Sequence, residues 1–179
     1  FCEVEIRDME THEPVPFRTE GEICFRVDGQ MPGYWQNPDS TAKTIIRGFI
    51  HTGDVGYLDQ NGYLYMCDRK DDMILSGGYN IWPTELENVL ASHPAVKEVV
   101  AFGVPSDRFG ESPYAIVTVN DPSSVSEQEL IDLCAKELGS YKKPIKVEIR
   151  TESLPRTPVG KLSRKLIRDP YWAGMGRKK

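Results

Sequence analysis

The charged run Asp68-Arg69-Lys70-Asp71-Asp72 separates two stretches whose apolar patterns demand different architectures. Upstream, apolar residues alternate with polar ones at a period of two, the mark of half-buried strands. Downstream, segments of helical spacing alternate with strand-like ones. The change of pattern divides the chain into a β unit over residues 1–70 and a larger mixed unit over residues 71–179.

In the first unit, Val4 and Ile6 alternate with Glu3, Glu5 and Arg7. Glu22-Ile23-Cys24-Phe25-Arg26-Val27 and Tyr63-Leu64-Tyr65-Met66-Cys67 are further strands. Asp28-Gly29, Pro32-Gly33, Asn37-Pro38-Asp39-Ser40 and Asn61-Gly62 are turn chemistry, and Asp59-Gln60-Asn61-Gly62 closes a hairpin between Tyr57-Leu58 and Tyr63-Leu64. A small sheet or β-barrel-like subdomain is expected. In the second unit, Pro83 opens a helix with Leu86, Val89 and Leu90 on one face, and His93-Pro94 stops it. Strands are expected at 96–104, 114–119 and 145–149. Ser126 and Glu129 form a capping box for a helix carrying Leu130, Leu133, Cys134 and Leu138, and Gly139 ends it. A short helix covers 163–167. The fold class is α+β: the β subdomain, then a compact domain made of a hairpin and a three-stranded sheet with helices.

Lys plus Arg number 22 against 27 Asp plus Glu, and the net charge of −5 argues against a nucleic-acid or anionic-membrane surface. No apolar run approaches the roughly 20 residues that span a bilayer, and no leader pattern opens the chain. Cys2, Cys24, Cys67 and Cys134 include no CxxC pair, and His12, His51 and His93 fall in none of the usual zinc spacings, so no metal site is expected. Reduced thiols in a cytoplasmic protein are the expectation. The chain opens directly in a strand at Phe1-Cys2-Glu3 without Met, as a fragment would.

Five segments have the composition of ligand sites, and each also has a plainer reading. Thr52-Gly53-Asp54 puts a short acid at a strand end, where it can accept from a vicinal diol or merely bond its own turn. Arg69 and Asp71 lie in the charged run, which serves as a solvated linker or as a nucleotide-contacting hinge. Ser76-Gly77-Gly78 is a hairpin turn or a loop that exposes amides to a ligand. The polar loop 103–111 after a strand, containing Gly103, Arg108 and Phe109, grips a ligand or covers the core. Last, Pro155-Arg156-Thr157-Pro158-Val159-Gly160-Lys161 presents a lysine on a loop stiffened by two prolines.

The order and spacing of these segments, with Gly33-Tyr34-Trp35-Gln36-Asn37-Pro38 and Gly48-Phe49-Ile50-His51-Thr52-Gly53-Asp54 ahead of them, resemble the carboxyl-terminal part of the adenylate-forming enzymes. That family comprises acyl-CoA synthetases, nonribosomal-peptide adenylation domains and luciferases. The resemblance runs over essentially the whole chain. It implies activation of a carboxylic acid with ATP and Mg²⁺ to an acyl-adenylate, then transfer to the thiol of CoA. Carried over by motif, Asp54 and Arg69 would serve the nucleotide, Asp71 would be the hinge, and Lys161 would be catalytic. Ser76, Gly77, Gly78, Gly103, Arg108 and Phe109 would line the path of CoA. The phosphate loop and acyl pocket of the family lie upstream of anything in this sequence. Residues 1–70 would then be the last β subdomain of a large amino-terminal domain, and 71–179 the mobile lid. The partner implied is the rest of that enzyme, and the chain alone is expected to be inactive. Two other readings remain: part of a nonribosomal-peptide adenylation domain, disfavoured by the basic terminus at 172–179, and a noncatalytic binding module that kept the lid fold.

Overall fold

In the computed structural model, which describes residues 1–177, the period-two stretch becomes one antiparallel sheet. Lys178 and Lys179 of the basic terminus lie outside the described residues. Strands β1 (Cys2–Arg7), β2 (Gly21–Val27), β3 (Ile45–Ile46), β4 (Phe49–Leu58) and β5 (Leu64–Arg69) lie in the order β1-β2-β4-β3, with β5 also paired to β4. Register shifts at Glu22/Cys24 and Val55/Gly56 curl this sheet, because a bulge adds local twist. Ile6, Ile23, Cys24, Phe49 and Val55 form its core, and the buried Arg7 guanidinium lies 4.1 Å from the centre of the Phe49 ring.

One sequence expectation changes here. Asn37-Pro38-Asp39-Ser40, expected as a turn, opens helix α1 (Pro38–Thr44) instead. Asn37 accepts a hydrogen bond from the Ser40 amide at 3.0 Å and Pro38 takes the first helical position. Turn and N-cap chemistry are the same chemistry, and the residues downstream of the cap decide between them.

Contacts divide the chain into Phe1–Asp71 and Asp72–Lys179. The second unit contains β6 (Ile74–Ser76), β7 (Tyr79–Ile81), α2 (Pro83–Ala91), β8 (Val96–Ser106), β9 (Gly110–Val119), α3 (Glu127–Leu138), β10 (Lys146–Arg150) and α4 (Arg164–Arg168). Strands β8 and β9 form a long antiparallel hairpin, and β10 runs parallel to β9 after the α3 crossover. The β6–β7 hairpin joins them through Ser76 opposite Gly110, so that the unit holds one five-stranded sheet. The polar loop expected at 103–111 shrinks to its tip, since β8 runs to Ser106 and β9 starts at Gly110.

Both faces of this sheet are covered. Ala101, Ala115, Val117 and Val119 point to one side and pack with Leu86 and Leu90 of α2 and Leu130, Ile131 and Cys134 of α3. Their neighbours Val100, Phe102, Val104, Tyr114 and Ile116 point to the other side and pack with Leu154, Leu162, Ile167 and Tyr171. The period of two thus sends alternate residues into two cores. Ser126 caps α3 by accepting from the Glu129 amide at 3.2 Å, and Gly139 ends the helix at a φ of 89°. No helix among the described residues is long and apolar enough to cross a membrane.

All four cysteines are free thiols. Burial pushes Cys24 up to about 12 and Cys134 up to about 11, so neither forms a thiolate near neutral pH. A colorimetric thiol titration at pH 8 is therefore expected to label exposed Cys2 first and to reach Cys24 and Cys134 only after denaturant is added. Prompt labelling of all four in native buffer would contradict this packing.

Candidate functional site

In the first unit, Asp54 and Arg69 are direct cross-strand partners on β4 and β5. Arg69 Nε lies 3.5 Å from Asp54 Oδ1, with the acid about one-third exposed and the arginine largely so. Asp54 lies inside β4 rather than at a strand end, in the bulge opposite Glu22 and Cys24, and that bulge is fixed from below. The Thr52 hydroxyl donates to the Ile23 carbonyl at 2.8 Å and accepts from the Asp54 amide at 3.0 Å. Beneath it lies Glu22, 4% exposed. One Glu22 oxygen accepts from the Gly53 amide at 3.0 Å, and the other meets His51 Nδ1 at 3.1 Å and Lys70 Nζ at 3.2 Å. Burial raises the Glu22 carboxyl, but the hydrogen bond with His51, the Lys70 charge and the Gly53 amide outweigh it and hold the group below its ordinary value. One buried acid therefore fastens the Asp54 bulge to the residue after Arg69.

Asp71 is exposed in a 3-10 turn over Lys70–Asp72 and is the last residue of the first unit. Residue 71 was expected as the first of the second unit, and the division falls one residue later.

In the second unit, Lys161 is presented by a closed turn. The Gly160 amide donates to the Thr157 carbonyl at 2.8 Å, and the Thr157 amide donates to the Lys161 carbonyl at 2.7 Å. Gly160 sits at a φ of 82°, where a side chain would strain the backbone. The Lys161 amide donates to the Thr157 hydroxyl at 3.2 Å. Arg156 reaches across the turn to the Gly160 carbonyl at 3.0 Å and pairs with Glu98 on β8. Glu98 also accepts from the Leu154 amide at 3.2 Å. That amide bond first, and Arg156 with it, holds the Glu98 carboxyl below its ordinary value despite opposing desolvation. The Lys161 side chain is exposed and makes no ion pair among the described residues.

Of the six residues expected along a thiol path, Ser76, Gly77 and Phe109 line one cavity of about 330 Å³ with Tyr79, Tyr141 and Lys143. The Gly77 amide donates to the Phe109 carbonyl at 3.0 Å, and a Cβ on Gly77 would lie 3.1 Å from the Phe109 ring, so the aromatic seats where only glycine leaves room. Arg108 stacks over the same ring at 4.8 Å. Gly78 and Gly103 do not line the cavity. Gly103 is buried in β8, and its carbonyl accepts from the Trp172 indole N–H at 2.9 Å.

His12, Glu22 and His51 bring ligand atoms within 4.8 Å of one another, a grouping that spans the sequence and that no local spacing announces. The donor set does not suit a divalent ion, because the Lys70 ammonium already rests on the Glu22 oxygen that faces His51. Sequence reasoning also missed Glu22, Glu98 and the tyrosines of the cavity. Each acts through partners at least 29 residues away or through a fold-level juxtaposition.

Residues 85–161 match the family model described as the AMP-binding enzyme C-terminal domain. A fatty acid–[acyl-carrier-protein] ligase from Streptomyces coeruleorubidus is 42% identical over 158 residues, covering 88% of this chain and 30% of the relative. A long-chain-fatty-acid–CoA ligase from Escherichia coli is 44% identical over 167 residues, covering 93% of this chain and 29% of the relative. The crystal structure of ATP-bound MatB from Rhodopseudomonas palustris superposes with a TM-score of 0.88 at 30% identity, over 95% of this chain and 34% of that one. The chain contains the AMP-binding enzyme C-terminal domain over residues 85–161, and it spans about three-tenths of the length of the curated relatives it matches.

The Glu22 hub has a measurable consequence. A carboxyl held low in the fold contributes stability above its unfolded value of 4.5, and the contribution is lost as pH falls through the folded value. Glu22→Gln is expected to cost about 1–3 kcal/mol at pH 7 and to flatten the loss of stability below pH 4.5. Urea unfolding followed by circular dichroism at pH 7, 5 and 3 measures both. An unchanged acid slope in the variant would count against the hub.

Proposed function

We propose that the chain is the carboxyl-terminal part of an acid–thiol ligase that makes an acyl-adenylate and then an acyl-CoA thioester. The observation that carries this reading is the Lys161 turn, whose backbone is braced by Thr157 and Arg156 while its ammonium has no ionic partner among the described residues. In the first half-reaction an acyl carboxylate oxygen attacks the α-phosphorus of ATP, and the bond to pyrophosphate breaks. Two anions meet, so a positioned cation on the shared negative charge helps most in the transition state. Lys161 is assigned that role.

Asp54, with one carboxylate edge exposed, would accept from the two ribose hydroxyls, and Arg69 beside it would offer its fork to the nucleotide. Mg²⁺ bound with ATP neutralises phosphate charge. No residue of this chain is assigned to it, since its one described grouping of ligand atoms already holds an ammonium. In the second half-reaction the thiol sulfur attacks the acyl carbonyl and AMP leaves. The cavity lined by Ser76, Gly77, Phe109 and Lys143 fits a pantetheine arm, with apolar walls and one cation for a phosphate. Asp71, at the junction of the two units, is proposed as the pivot between the half-reactions. The names of the two ligases support a fatty acid as substrate, with CoA as acceptor in the Escherichia coli relative and a carrier protein in the Streptomyces relative; CoA is the acceptor proposed here. Four free thiols, two of them buried, support a reducing, cytoplasmic setting. By itself the chain is proposed to be inactive.

In the whole ligase, Lys161→Ala is expected to slow pyrophosphate release by about 10²–10³-fold while sparing thioester formation from supplied acyl-adenylate. Asp54→Ala is expected to raise the KM for ATP by about 10- to 100-fold. Equal loss of both half-reactions in Lys161→Ala would refute the assignment. Transfer to a carrier protein but not to CoA would correct the acceptor.

A further inference from the structure

The Lys161 turn is braced at its trailing end by a second arginine, one to which the proposed chemistry gives no task. Arg164, the first residue of α4, donates from Nη1 to Asp72 Oδ2 at 2.7 Å and from Nη2 to both Glu87 oxygens at 2.9 Å. Arg168, one turn along α4, donates to the other Asp72 oxygen at 3.1 Å. The side chains of Arg164, Asp72 and Glu87 are 16%, 17% and 18% exposed, so these pairs are shielded from solvent. Asp72 is the first residue of the second unit, directly after Asp71. Only Leu162 and Ser163 lie between Lys161 and Arg164, and the Ser163 amide is tied to the Pro155 carbonyl at 3.2 Å.

We propose that Arg164 is a positioning residue for adenylation: it fastens the Lys161 turn to Asp72 and Glu87, so that the turn and the residue following Asp71 move as one rigid piece. The proposal rests on the reading of Lys161 as the adenylation lysine. The chemistry calls for arginine. A planar fork can engage two carboxylates from different elements at once, and it stays charged when desolvated. A lysine at this position would offer one point charge and satisfy one acid at a time. Without a cation here, Asp72 would keep Arg168 and Glu87 would keep the Ala101 amide, but the two acids would lose the guanidinium they share and the trailing end of the turn would be released. A displacement of about 1 Å at a reacting group costs about 10²-fold in rate. The thioester step does not use Lys161, so it is insulated from that displacement.

The test uses two readouts. In the whole ligase, Arg164→Gln is expected to slow pyrophosphate release by about 10- to 100-fold and to leave thioester formation from supplied acyl-adenylate nearly unchanged. Arg164→Lys is expected to recover part of the loss. In the chain itself, hydrogen exchange is expected to quicken across residues 156–163 of Arg164→Gln while β8 and β9 keep their protection, which separates release of the turn from unfolding. Unchanged exchange in the turn, or equal loss of both half-reactions, would overturn the proposal. Lys161→Ala runs alongside. If it suppresses adenylation and Arg164→Gln does not, this inference alone fails; if Lys161→Ala leaves adenylation intact, both readings fall.

Discussion

Strand β9 is buried on both faces and along both edges, and the rest of the second unit is built around that fact. It pairs with β8 on one edge and with β10 and β6 on the other. Alternate residues feed two separate cores. A strand covered on one side would leave the chain after β10 without an apolar surface to lie on. Instead Leu154, Leu162, Ile167 and Tyr171 have Val100, Phe102 and Ile116 beneath them, and the segment that carries Lys161 runs over a firm floor. Burying aliphatic and aromatic side chains at about 1.5–3 kcal/mol each anchors both ends of a turn whose middle, around Val159, is open to solvent.

Within each unit, the segments that present Asp54 and Lys161 are held by shielded acids. Glu22 holds the Asp54 bulge and Lys70, Glu98 holds Leu154 and Arg156, and Glu87 holds Arg164. In all three cases the acid accepts from a backbone amide as well as from a cation, Glu87 from the Ala101 amide at 2.9 Å. That combination fixes main chain, whereas an exposed ion pair would contribute about 0–1 kcal/mol and little geometry. The two cations with proposed roles, Arg69 and Lys161, stand in solvent at the ends of these braces.

Much of this was readable in the sequence because it is local. The β4–β5 hairpin, the Ser126 cap, the Gly139 stop and the proline-stiffened lysine turn all depend on residues within a few positions of one another. The change of apolar period at the charged run is local too. What escaped is non-local or degenerate. Helix α1 hid behind turn chemistry at Asn37 and Pro38. The β8–β9 hairpin extends past Gly103, and Glu111, which looks like a loop residue, is buried there against Arg177, 66 positions downstream. No window of sequence contains both. The acids that brace the site have the same character, and their residue type alone reads as solvated surface.

On the proposed reading, this chain supplies a catalytic cation and two nucleotide-facing groups, and the phosphate loop and acyl pocket belong to the remaining length of a longer ligase. Neither unit is then expected to hold an acyl-adenylate by itself. Isothermal titration of the chain with a nonhydrolysable acyl-adenylate analogue tests this most directly. No saturable heat is expected from the chain alone, and tight binding is expected once the whole ligase is used. Saturable micromolar binding to the isolated chain would contradict this division of the site.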